Sequence, residues 1–119
     1  MPVVNDNKID LAGTQGRGSF YCTVGAAQAA FGTDGAFPKD MSGSAMVWAF
    51  KDSGGNRWSI YDHKLTDYYS VEEIRYEMLG EEIPLFVGGD KNANPTEFKN
   101  YLKGKFKEGE LSYLEIREE

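Results

Sequence analysis

The feature that most constrains this chain is a pair of β-rich runs, Met46 to Lys51 and Arg57 to His63, joined by Asp52-Ser53-Gly54-Gly55-Asn56. Five turn-forming residues between two runs of alternating apolar side chains specify an antiparallel hairpin. Alternation in a strand has a period of two, so it also sorts side chains onto faces. Met46, Trp48 and Phe50 take one face of their strand, and Trp58, Ile60 and Asp62 one face of the partner strand, while Ser59, Tyr61 and His63 take the other. A lone hairpin is at best marginally stable in water, so the flanking chain must add strands and cover the tryptophan face.

The flanking segments carry the signals for doing so. Gly18 to Cys22 reads as a strand, and Thr23 caps a short helix in which Val24, Ala27 and Phe31 form one stripe before Gly32 closes it. Ser70-Val71-Glu72-Glu73 is a capping box, predicting a helix over 71–79 with Val71, Ile74 and Met78 on one stripe and Gly80 as its stop. Ile83 to Val87 is a short apolar run in which Pro84 marks a strand start or an edge. Asn94-Pro95-Thr96-Glu97 starts a second helix, with Phe98, Tyr101, Leu102 and Phe106 buried and Lys99, Lys103 and Lys107 opposite. Leu111 to Ile116 supplies a last strand. Residues 33–45 read as a loop in which Phe37 is an anchor, and residues 1–16 as a loosely held arm adding one edge strand. The expected fold is α+β, a single domain over 1–119: an antiparallel sheet of about four or five strands with two or three helices packed on one face and the other face free.

Charge and composition exclude several function classes. The formal charge of the 119 residues is −6 and the pI is near 4.8, so binding of nucleic acid driven by phosphate contacts is not expected. The charge is uneven: residues 1–69 carry seven acids and six bases, residues 70–119 twelve and seven. No run is long and apolar enough for a membrane span, and the first residues lack the basic and apolar regions of a secretory signal, so a cytoplasmic location is expected. One cysteine, Cys22, and one histidine, His63, leave no internal disulfide and no zinc cage, and no cofactor is expected. Two Trp, seven Tyr and seven Phe exceed what one small core must hold, so a surface of half-exposed aromatics, with Tyr61, Tyr68 and Tyr69 foremost, is the leading binding feature.

Two clusters hold candidate chemistry. Asp62-His63-Lys64 brings an acid, an imidazole and an amine together, yet neighbours on a strand point to opposite faces, which argues for a strand-end turn rather than catalysis. A Cys22–His63 nucleophile pair would need the two adjacent in the sheet. Gly88-Gly89-Asp90-Lys91 ahead of Asn94-Pro95 resembles a phosphate loop leading to a helix N-terminus, without the full spacing of one.

The order of motifs also carries a resemblance. Gly18-Ser19-Phe20-Tyr21-Cys22-Thr23, Phe31-Gly32, Trp48-Ala49-Phe50, Ile60-Tyr61-Asp62-His63-Lys64 and Phe86-Val87-Gly88-Gly89 before a final helix resemble a family of small acidic bacteriophage proteins. The likeness spans residues 18–107. This chain departs from the family at His63, where an aromatic is usual, at Leu85 to Val87, where a strand opens on Trp, and in the helix at 71–79. The resemblance implies a phage or mobile-element origin and brings no assigned activity.

Three functional expectations follow. The first is a non-enzymatic binding module acting on a host protein, such as a defence factor, in the host cytoplasm. The second is a binder or sponge for a nucleotide-like anion, using Gly88, Gly89 and Lys91 with stacking aromatics. The third is an enzyme using Asp62 and His63. Homo-oligomerisation is left open.

Overall fold

The computed structural model describes residues 3–33 and 44–118; most of the expected loop, with Phe37, lies outside the described residues. Six strands form one open antiparallel sheet: β1 (Val4–Asn5), β2 (Gln15–Thr23), β3 (Val47–Lys51), β4 (Arg57–Tyr61), β5 (Glu82–Gly89) and β6 (Ser112–Ile116). Their order across the sheet is β1-β3-β4-β5-β2-β6. Two α-helices, α1 (Val24–Phe31) and α2 (Thr96–Lys105), complete an α+β fold. The sixth strand is the arm's β1, whose Val4 and Asn5 pair with Lys51 and Phe50.

The hairpin forms in the expected register, from Val47 opposite Tyr61 to Lys51 opposite Arg57. Its turn is knotted by Asp52, whose carboxylate accepts the amides of Gly54 (3.0 Å) and Asn56 (2.9 Å) and the indole N–H of Trp58 (3.0 Å). Thr23 caps α1 by accepting the Ala26 amide at 3.1 Å, and Val24, Ala27 and Phe31 are its buried residues. Gly32 follows at φ +101°, a conformation that L side chains rarely adopt, and its carbonyl accepts the Trp48 indole at 3.1 Å. Asn94 accepts the Thr96 amide at 2.9 Å and opens α2, which buries Phe98 and Leu102.

Both helices contribute to the core that covers the tryptophan face. Phe98 stacks on Trp58 at 5.0 Å and 8°, and Phe31 packs edge-on against Phe50 and Phe106. The opposite face, expected to be free, is partly covered. Leu11 of the arm is buried there with Val47 and Ala49, and Ile9 and Tyr61 pack against them. The arm is therefore less loose than its polar composition implies: Val3 and Leu11 are anchors, and the Asn5 side chain donates to the Phe31 carbonyl at 3.0 Å.

The expected helix over 71–79 is shorter and wider. After one α-type bond from Ile74 N–H to Ser70 O, residues Glu73–Glu77 wind as a π-helix, with Met78 N–H bonding Glu73 O at 2.9 Å. The capping box is intact, Ser70 N–H donating to Glu73 Oε1 at 3.1 Å and Glu73 N–H to Ser70 Oγ at 3.0 Å. The extra residue in the turn changes the phase of the stripe: Ile74 is buried, Met78 is partly buried, and Val71 is exposed.

Candidate functional site

The strand expected to reach His63 ends at Tyr61, and just past it Asp62 and His63 diverge. Asp62 turns into the core, fully buried, and accepts the Met46 amide at 2.6 Å and the Leu65 amide at 3.4 Å. Its backbone carbonyl accepts the Ser44 hydroxyl. Burial pushes its carboxyl above the usual carboxylate range, against the pull of these amides. His63 is exposed on the other face, its ring 5.5 Å from Phe86. The two cannot act on one substrate, which removes the geometry the enzymatic reading needs. Lys64 is exposed at φ +57° and opens the 3₁₀ turn Leu65–Asp67. Cys22 lies in the core on the face opposite His63, and burial pushes its thiol up to about 12, so no nucleophile pair forms.

The glycine pair is not a loop. Gly88 and Gly89 are the last residues of β5, between β4 and β2, opposite Ser59 and Trp58 on one side and Gly16 and Gln15 on the other. They are small for packing reasons: a Cβ on Gly89 would lie 2.6 Å from Trp58 Cε3, and one on Gly88 2.6 Å from Ser59 Oγ. Lys91 is exposed beyond them. Asp90, whose carboxylate is held low by Arg57 at 2.6 Å, faces β4 rather than a ligand. A groove of about 530 Å³ between the hairpin turn and the start of α2 is lined by Asp52, Asn56, Asn94, Glu97 and Asn100 among others. Two carboxylates and no cation make it a poor seat for a nucleotide-like anion. A dent of about 170 Å³ on the arm side of the sheet, floored by Gly16, Gly88 and Ser59, is smaller than ordinary ligand pockets.

Tyr61 is half-buried in that face, stacked on Phe86 at 6.1 Å and 29°, and burial raises its phenol. Tyr68 and Tyr69 stand elsewhere, on the connection from β4 to β5. Five of the eight large hydrophobic side chains exposed among the described residues lie within residues 68–79 of this connection: Tyr68 (80% exposed), Tyr69, Val71, Tyr76 (62%) and Leu79. Leu79 was not singled out by the sequence, because the expected α-helical stripe drew attention to 71, 74 and 78, whereas Tyr76, beside charged residues, was legible as a half-exposed tyrosine.

The segment is held in place rather than hung loose. Ile74 is sunk in the core. The amides of Val24 and Gly25, at the start of α1, donate to Glu81 O (3.0 Å) and Leu79 O (2.9 Å). Gln28 Nε2 donates to Arg75 O at 2.8 Å, and Arg75 reaches Ala45 O through Nε and Nη2 at 3.0 and 2.6 Å. Its apolar side chains are therefore displayed on a bonded scaffold, which lowers the ordering cost of using them.

Sequence reasoning also missed Arg17, the one fully buried cation among the described residues. It is the extra residue of a bulge where the β2–β5 register shifts between Gly16 and Gly18. Its guanidinium lies 5.0 Å from the Trp58 ring centre and donates to Asp90 O (2.8 Å), Ala93 O (2.9 Å) and Arg117 O (2.6 and 3.1 Å). A Gly-Arg-Gly triplet inside a strand was the available signal.

Among the described residues no group of three His, Cys, Asp or Glu side chains could hold a metal ion, and no helix is long and apolar enough to cross a membrane. Comparison with known protein families, curated proteins and solved structures finds no match for this chain.

Proposed function

We propose that this protein is a non-enzymatic binding module that engages a protein partner through the connection between β4 and β5. The observation that carries this reading is the concentration of exposed Tyr68, Tyr69, Val71, Tyr76 and Leu79 on one short, internally bonded segment. Scattered exposed apolar residues need no explanation, whereas a cluster of aromatics on a rigid support has the character of an interface centre. Separation of Asp62 from His63 and the loss of Gly88-Gly89 to the sheet weigh against the enzymatic and anion-binding alternatives. The resemblance to bacteriophage proteins supports a host component, such as a defence factor met in the cytoplasm, as the partner.

The test is affinity capture from a bacterial lysate with the wild-type protein and with Tyr68→Ser/Tyr76→Ser. A stoichiometric partner held by the first and lost by the second, at unchanged melting temperature, is the expected result. Equal capture by both refutes the assignment of the surface. A melting shift of several degrees with a nucleotide in a thermal-shift screen would favour the small-ligand alternative instead.

A further inference from the structure

The charge around the exposed apolar segment identifies what covers it. Between residues 67 and 82 the chain has six acids, Asp67, Glu72, Glu73, Glu77, Glu81 and Glu82, and a single base, Arg75. All six acids are exposed, whereas Arg75 is half-buried and turned toward the Ala45 carbonyl. Exposed Tyr68, Tyr69, Tyr76 and Leu79 thus lie in a segment that is net acidic even with Arg75 counted. An acidic partner or a second copy of the same face would be repelled, since a two-fold contact sets this charge against itself.

We infer that the partner docks a basic segment here, with Lys and Arg side chains meeting the glutamates and an apolar side chain seated among the tyrosines. This rests on the reading of the segment as the binding surface. Charge then sets the encounter rate and the orientation, and the aromatics hold the complex.

The experiment places the photocrosslinker p-benzoylphenylalanine at position 76, and in a second protein at position 113, where Tyr113 is more exposed still but lies on β6. Irradiation in a bacterial lysate is followed by sequencing of the crosslinked peptide. The expected product from position 76 is one partner joined through a peptide of net positive charge. Its yield should fall about tenfold in the Glu72→Gln/Glu77→Gln/Glu81→Gln background, three exposed charge pairs together being worth roughly that much. A neutral or acidic crosslinked peptide whose yield ignores the triple substitution overturns the inference and leaves the binding surface standing. A product from position 113 but not 76, or from neither, overturns both. A crosslink to the Lys99–Lys107 face of this same chain replaces the foreign partner with a second copy.

Discussion

Arg17→Met should be the most destabilising substitution that changes little volume. Methionine keeps an apolar stem against Trp58 but withdraws every donor from Asp90 O, Ala93 O and Arg117 O. The Asp90 carbonyl retains the Ala93 amide at 3.3 Å and Arg117 is an exposed residue, so the main loss falls on the buried Ala93 carbonyl. A buried carbonyl left without a partner costs about 1–3 kcal/mol, and the cation–π contact adds about 1 kcal/mol, partly offset by relief of a desolvated charge. The expected loss is about 2–4 kcal/mol, or roughly 8–16 °C in melting temperature for a chain of this size. Urea unfolding followed by tryptophan fluorescence and far-UV circular dichroism measures it. Arg17→Lys sharpens the test. One ammonium cannot span three carbonyls, and it leaves a buried charge poorly solvated, so lysine should stabilise no better than methionine. A loss below about 1 kcal/mol for Met, or near-complete rescue by Lys, would refute the carbonyl cage as the reason for the buried guanidinium.

Three further outcomes are expected. Gly18→Ala puts a Cβ 1.9 Å from Glu115 O, so β6 must move off β2; amide exchange over 112–116 should accelerate and stability fall by about 1–3 kcal/mol or more, while wild-type exchange would show that the strands can separate without cost. Asp62 is pushed up by burial, so its contribution to stability is present below the unfolded value near 3.8 and lost as pH rises through the folded one; Asp62→Asn should gain on the wild type across that rise, and parallel pH–stability curves would contradict this. Cys22, raised to about 12 inside the core, should resist iodoacetamide in the native protein at pH 8 and react only in denaturant; stoichiometric native labelling would place it at the surface.

What was legible in the sequence was what local chemistry decides. The hairpin, the Thr23 cap with its 24, 27, 31 stripe, the Ser70–Glu73 box and the Asn94-Pro95 start all formed because their partners lie within a few residues. What was not legible depends on distant chain. Gly88 and Gly89 read as a loop because glycine usually breaks strands, yet Trp58 and Ser59 of β4 require them inside one. The polar arm gave no sign that Leu11 closes over Val47 and Ala49. The 71–79 segment follows an α-helical period in sequence, but its anchoring through Ile74, Arg75 and the start of α1 fixes a wider turn, which exposes Val71, Tyr76 and Leu79.

The same anchoring changes the meaning of the chain's charge. An excess of acids over residues 70–119 averages two unlike regions. Residues 67–82 hold six acids against one base, while α2 and the residue pair after it hold Glu97 against Lys99, Lys103, Lys105 and Lys107. Arg75, half-buried and bonded to Ala45 O, offsets only one of those six charges. The chain is therefore acidic over residues 67–82 and basic along α2, which a figure of −6 conceals. A basic partner of the kind proposed would be drawn to residues 67–82 rather than to α2 before any apolar contact forms, within a range of about 10 Å at 0.1 M salt.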